Sequence, residues 1–480
     1  MPLPDLDLWQ YRLGDTPGAD SIAIGDLWLD VGADLPVWPV TDADGKAAGV
    51  LLGFAIDLQA RRIIDAGWQV PARLGADIDA FAQAGLMALG GRFLWILDVP
   101  GAARIYPDCS AQVPCVFDPA AHIAASTAHA MLDDTAYQAR FDPDLFNALG
   151  VDGEGWFPAG LTAHHGLHRL LPNHYLDLHS WSVQRFWSGP AAQASDPDAV
   201  VAQIVDIVQA QIEALIAGPD RVAIALTAGR ETRMLLACAQ PYIDRVDFVT
   251  VTGSDRHQLD TVMASRIAAK VGLNHRTLMR TAATQAQRDL FIRRGGHCNA
   301  DSNAQFHPSV WPIAGSHVMV SGNGGEIARA FFWRAADTPQ TAITPAMLTA
   351  RFGLKSTPAL QDALTLWLDG LQGVDSLTVL DLAYQEHRDG AWYAAQFCSD
   401  PGLVRQAPLL TMRSADLMMQ LPPDWKRSHR LSQAVVARQW PALEQFPYNS
   451  LGYLRDRIMK LRRVMADPQI VLKKLRKLRG

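Results

Sequence analysis

The stretch Arg221–Met234, RVAIALTAGRETRM, constrains this chain more than any other. Apolar Val222–Leu226 stops at a small turn, Thr227-Ala228-Gly229, and Glu231–Ala237 then suits a helix. Strand, tight turn and helix in that order leave backbone N–H groups free at the positive end of the helix, where an anion can sit. Gly229 can take backbone angles closed to other residues, and Thr227 and Thr232 offer hydroxyls to phosphate oxygens. An ordinary buried strand followed by a helix fits the same pattern.

The downstream sequence extends the unit. Val246–Thr252 is a second apolar, β-branched run. Gln258–Val271 carries apolar residues at helical spacing, from Leu259, Val262 and Met263 to Ile267, Ala268 and Val271, and is closed by Gly272. His317–Val320 is a third strand-like run and enters Ser321-Gly322-Asn323-Gly324-Gly325-Glu326. Two glycine-bearing turns, each with a glutamate at its far end, thus follow apolar strands about a hundred residues apart. In a parallel sheet both would lie at the carboxyl edge, where α/β folds bind ligands. Two carboxylates beside phosphate-binding turns are what a magnesium–nucleotide site needs, because the hard cation takes oxygen ligands and bridges phosphates.

These residues resemble the asparagine-synthetase group. Thr227-Ala228-Gly229-Arg230-Glu231-Thr232 is similar to its pyrophosphate loop, usually Ser-Gly-Gly-x-Asp-Ser. Gly322–Gly325, flanked by Ser321 and Glu326, is similar to its second loop, usually Ser-Gly-x-Gly-x-Asp-Glu. The strand Val249–Thr252 and the helix end Ala268–His275 fit between them. The order and spacing match over roughly residues 195–450, while the letters are degenerate. The resemblance implies an ATP-binding α/β domain of PP-loop type at 191–450 with a helical tail. Phosphates would be held by Thr227, Ala228, Gly229, Arg230, Thr232, Gly322, Asn323, Gly324 and Gly325, with Val251 and Thr252 beside the nucleotide. Magnesium would bind Glu231 and Glu326, each a methylene longer than the family's aspartates. The cation that counters charge on the α-phosphate falls at His429 or Arg430, with Lys426 close by. Arg405–Leu410 is similar to the family's Arg-x-Pro-Phe-Leu-Asp, and Arg329-Ala330-Phe331-Phe332-Trp333 departs from its Gly-Gly-Tyr continuation, which implies a changed acceptor pocket.

Residues 1–190 read as an α+β domain. Strands are expected at Ala23–Leu29, Gly49–Ile56, Arg92–Leu97, Ala103–Tyr106 and Val113–Phe117, with helices at Asp77–Met87 and His122–Leu132 and a hairpin loop at Asp98–Gly101. Arg92–Asp108 and Leu167–Trp187 resemble parts of the group's glutaminase domain, an Ntn-hydrolase fold. That domain works through an N-terminal cysteine whose own amine is the base. Here the chain begins Met1-Pro2-Leu3 and its first cysteine is Cys109, so no glutamine hydrolysis is expected. The domain would be a relic, a substrate platform or a dimerisation surface. The helix expected after Asp196-Pro197 carries a core stripe from Val200 to Ile216 and ends at Gly218.

The remaining signals narrow the class. A net charge of −6 argues against a general nucleic-acid binder. Five scattered cysteines without a Cys-x-x-Cys pair fit buried thiols of a reducing compartment, not a disulfide frame or a zinc ribbon. No signal-peptide pattern opens the sequence and no uninterrupted apolar stretch reaches membrane-spanning length, so a cytoplasmic protein is expected. His164, His165, His168, His174 and His179 lack the partners of a zinc motif and fit a packed connection better. Between Gly295 and His307 a polar cluster fits a substrate-binding segment or a solvated loop equally well. The tail 451–480, ending LKKLRKLRG, is basic and amphipathic, and suits either solvent or an anionic membrane surface.

The activity implied by the resemblance is AMP-forming. A small-molecule or peptide carboxylate attacks the α-phosphate of ATP, and ammonia or an amine then displaces AMP to form an amide. An intramolecular amide former, like β-lactam synthetases or lasso-peptide cyclases, would need no ammonia. A binding or scaffolding protein that has lost ATP is the reading of a different class, favoured by the missing Ser-Gly-Gly-x-Asp-Ser.

Overall fold

The structure, a computed structural model, describes residues 6–253, 258–298, 302–400 and 402–452, and of 394–396 only the backbone. The basic tail lies almost wholly outside these residues. The chain is a mixed α/β protein with one parallel sheet and two sheets that are antiparallel except where Val37–Thr41 pairs in parallel with Trp68–Gln69.

The antiparallel sheets occupy the first 190 residues. One has six strands; the other has eight and is centred on Ala47–Asp57, Leu89–Val99 and Ala102–Pro107. Successive side chains of a strand point to opposite faces, and these strands are apolar on both. Leu52, Leu94, Ile96 and Ile105 meet Tyr11, Leu13 and Leu29 of the smaller sheet. Leu51, Trp95 and Leu97 point the other way, into the largest core. The hairpin at Asp98–Gly101 is present, with Val99 paired to Ala102. The helix expected at Asp77–Met87 is Ile78–Ala88, capped by the Asp77 side chain on Ala80 N–H.

Three expectations are corrected. The strand expected at Val113–Phe117 begins only at Val116 and runs Val116–Asp118. Ala23–Leu29 is two strands, Ile22–Ile24 and Leu27–Val31, folded back on each other about Gly25-Asp26. His122–Leu132 is a strand, Ile123–Ala125, followed by the short helix Ala128–Met131. Its alanines favour a helix intrinsically, yet Ile123–Ala125 lies between Val116–Asp118 and Tyr11–Gly14 and bonds to both, so tertiary pairing overrides propensity.

The parallel sheet runs, in space, His275–Met279, Val246–Thr252, Arg221–Ala225, His317–Val320, Arg405–Gln406. In chain order that is third, second, first, fourth, fifth, and every neighbouring pair is parallel. The order reverses between the first and fourth strands, so the turns after both face one crevice at the carboxyl edge. Helices Arg230–Cys238 and Gln258–Val271 supply the crossovers.

Residue 190 is not a break in the core. Helix Pro197–Ala217, capped by Asp196 with Pro197 in its first turn, buries Val200, Val201, Ile204, Ile207 and Val208 in the cluster that also holds Leu51 and Trp95. It is long and apolar enough to cross a membrane, but its apolar side chains are spent in this core. A buried polar joint also crosses the halves. Glu386 accepts from Arg185 Nη1 and Nη2 at 2.7 and 2.9 Å, from Asn173 Nδ2 at 2.8 Å and from Trp367 Nε1 at 2.6 Å. All five cysteines are free and buried.

Candidate functional site

The two glycine-bearing turns touch. A Cβ on Gly322 would lie 2.8 Å from the backbone carbon of Glu231, and one on Gly325 would lie 2.7 Å from Glu231 Cγ. Gly324 holds φ +93°, a left-handed conformation that favours glycine. The glycines of the second turn are therefore there to let it close over the first helical turn of Arg230–Cys238.

The first turn is satisfied from within. Thr232 Oγ1 accepts from Thr227 N–H at 3.3 Å, and Thr227 Oγ1 accepts from Gly229 N–H at 3.0 Å. The two hydroxyls bond each other at 2.8 Å, and Asp260 Oδ1 takes the Ala228 N–H at 2.9 Å. Asn323 donates to Ser321 Oγ at 3.0 Å. Thr252 Oγ1 accepts from Thr261 at 3.0 Å, and Val251 reaches a neighbouring crevice. Arg230 stacks on Tyr448 with its guanidinium carbon 4.5 Å from the ring centre, and its Nη1 is buried without a hydrogen-bond partner.

Glu231 and Glu326 do converge, and Arg329 joins them. Its Nη2 donates to Glu326 Oε1 at 3.1 Å, and its Nε lies 2.8 Å from Glu231 Oε1, a charge contact without hydrogen-bond alignment. Burial and the neighbouring Glu231 push the Glu326 carboxyl up, and Arg329 pulls it back. As arranged, the pair does not fit magnesium. A guanidinium already bridges the carboxylates, and the gap bounded by Glu231, Arg329, His429 and Ser432 is about 10 Å³, near one water and far below a hydrated ion. Among the described residues no group of three or more His, Cys, Asp or Glu is placed to hold a metal.

Of the three residues expected to counter α-phosphate charge, His429 alone reaches this gap. It holds φ +57° ahead of helix Arg430–Gln439, and its Nδ1 is buried without a partner. Burial, with Arg230 and Arg329 nearby, lowers its pKa. Lys426 is fully buried in an ion pair with Asp381, 5.2 Å from the Trp333 ring centre. Arg430 is half exposed and pairs with Asp424 at 3.2 Å.

A crevice of about 480 Å³ opens where the second and third strands end, lined by Val251, Arg280, Phe306, Arg388, Trp392 and Arg405, among others. Arg280 lies over Phe306, 3.2 Å from the ring centre. Arg388 is held between Trp156 at 4.5 Å and Trp392 at 4.9 Å, and its Nη1 is buried without a partner. Arg405 pairs with Asp400 at 2.6 Å, leaving Nε buried and unbonded. Three arginines thus face two carboxylates, Asp400 and the exposed Glu154. Arg388 issues from Tyr384–Asp389, a π-helical turn inserted in an α-helical run, a distortion that often marks a working site. Arg405 opens the stretch that resembles the family's Arg-x-Pro-Phe-Leu-Asp and Arg388 lies on the helical tail before it, whereas Arg280 comes from a distant part of the sequence that no motif marks. Of the polar segment 295–307, Ser302, Asn303 and His307 line the crevice; Asp301 lies outside the described residues.

The histidines of 164–179 do not assemble. His164 is buried among Tyr137, Phe141 and His297 with neither ring nitrogen bonded, and His174 Nδ1 bonds Pro172 O at 2.8 Å.

Comparison of the chain with protein-family models and with curated proteins finds no match.

Proposed function

We propose that this chain is an asparagine synthetase-like, ATP-dependent carboxylate–amine ligase with a degenerate glutaminase-like N-terminal domain. One observation carries the reading: both glycine-bearing turns end adjacent parallel strands where strand order reverses, and a crevice rich in arginine opens at that same edge. Its volume is in the range of small-molecule sites, and stacked guanidinium groups suit phosphate and carboxylate oxygens.

In this reading Arg280, Arg388 and Arg405 orient the anionic groups of nucleotide and acceptor. A carboxylate oxygen of the substrate attacks the α-phosphorus, the bond to the β-phosphate oxygen breaks, and pyrophosphate leaves. The amine nitrogen then adds to the acyl carbon, loses a proton and displaces AMP. Holding both reactants in one crevice removes most of the entropic barrier to the second step.

A binding protein without chemistry is the second reading, because the amides of the first turn already have partners in Thr232, Thr227 and Asp260. ATP binding by calorimetry, followed by pyrophosphate release with panels of carboxylates, separates the two. The ligase reading requires ATP binding that weakens about tenfold or more in Arg388→Ala. No binding at millimolar ATP, with carboxylates present, overturns it. Dependence of product formation on added ammonia then separates an intermolecular ligase from an intramolecular amide former.

A further inference from the structure

We propose that Arg329 is a built-in cation standing where a divalent metal would bridge Glu231 and Glu326, so that this edge of the sheet works without magnesium. The part that concerns nucleotide rests on the function proposed above; the part that concerns the cation does not.

Three features support it. First, the guanidinium spans both carboxylates with different nitrogens, 2.8 Å to one and 3.1 Å to the other. Arginine stays protonated and carries donors in a rigid fork, so one side chain supplies fixed positive charge in the space a bridging ion would need. Second, neither carboxylate is free to swing away. Glu231 is held under Gly322 and Gly325, and Glu326 and Arg329 project from one short helical segment, Gly325–Arg329, three residues apart. Third, magnesium would have to keep several waters in near-octahedral array, and the space left beside the triad takes about one water. The charge sum is sensible as well. Two carboxylates and one guanidinium leave one negative charge, with Arg230 beside Glu231 in sequence and its Nη1 buried without a partner.

The position predicts a conversion. Removing the guanidinium leaves two apposed glutamates and a void, which is the simplest form of a divalent-ion site. Thermal unfolding is followed for wild type and Arg329→Ala with and without millimolar magnesium chloride, with sodium chloride at matched ionic strength as control. Arg329→Gln, a shorter and neutral side chain, is the second variant should alanine fail to fold. The expected result is no shift in Tm for wild type, a lower Tm for the variant, and recovery of several degrees by magnesium in the variant alone. A magnesium-dependent rise in wild type, or no response in either variant, overturns the proposal. ATP calorimetry in EDTA and in magnesium completes the test. Equal affinity within about twofold supports metal independence, whereas an affinity lost in EDTA overturns it and leaves the ligase reading standing. Absence of ATP binding in both buffers overturns the ligase reading and with it the metal-independent use of nucleotide; the unfolding experiment still decides what occupies the cation position.

Discussion

Arg185→Met tests the joint between the two halves. Glu386 is fully buried, and its carboxylate accepts from Arg185, Asn173 and Trp367. Burial pushes its pKa up, but Arg185 and its neighbours outweigh burial and hold it at about 2, against 4.5 in the open chain. That depression corresponds to about 3 kcal/mol of stability at neutral pH, present above the unfolded pKa and lost as pH falls towards 2. Without Arg185 the same carboxylate is a buried charge short of its main partner, a change that costs about 3–5 kcal/mol. Its pKa then moves up, so the loss relative to wild type shrinks by protonation as pH is lowered from 7 to 5. Urea unfolding of both proteins at the two pH values reads this directly. Adding Glu386→Gln to the variant removes the charge and should restore most of the loss. A loss under about 1 kcal/mol at pH 7, or one that is the same at both pH values, would refute the reasoning.

Gly322→Ala should destabilise by about 1–3 kcal/mol, because its Cβ would lie 2.8 Å from Glu231 backbone; Gly75→Ala, with nothing within 4 Å, is the control by thermal unfolding. Lys426→Met should cost about 3–5 kcal/mol by stranding buried Asp381, whereas Arg430→Ala, which loses only an exposed pair, should change stability by about 0.5 kcal/mol or less. Burial lowers the pKa of His164 to about 3, of His297 to about 4 and of His387 to about 3. The unfolded chain therefore takes up protons that the native one refuses, so stability falls as pH drops below 6.5. Each histidine adds about 1.4 kcal/mol per pH unit, and His164→Phe should shallow that slope by one such share in denaturant titrations between pH 6 and 5.

The parallel sheet was legible in the sequence because its signals are local. Val246–Thr252, His317–Val320 and helix Gln258–Val271 have the bounds that their apolar spacing and closing glycines indicate. Both glutamates could be paired for the same reason: each ends a turn that follows a strand. What periodicity could not convey was which partner each side chain finds. Arg329 reads as the start of an aromatic run, yet its fold partner is the carboxylate three positions back and another on a different helix. Asp260 carries no signal in the helix pattern, yet it takes an amide of the turn after the first strand. Lys426 looks like a candidate for charge stabilisation because burial does not show in a string of letters. The arginine crevice gathers residues from five regions of the chain, and only the folded path brings them together.

The shared core has a consequence for how the chain is made. The outward face of the larger antiparallel sheet, with Leu51, Trp95 and Leu97, shares its core with helix 197–217 and with Met412–Gln420. The last strand of that sheet ends at Arg185, so its cover is completed about 230 residues later in synthesis. At roughly 5–20 residues per second that is about 10–45 s during which a nascent chain presents an apolar sheet whose cover is incomplete. Production of the early half in isolation should therefore yield aggregate where the full chain yields folded protein.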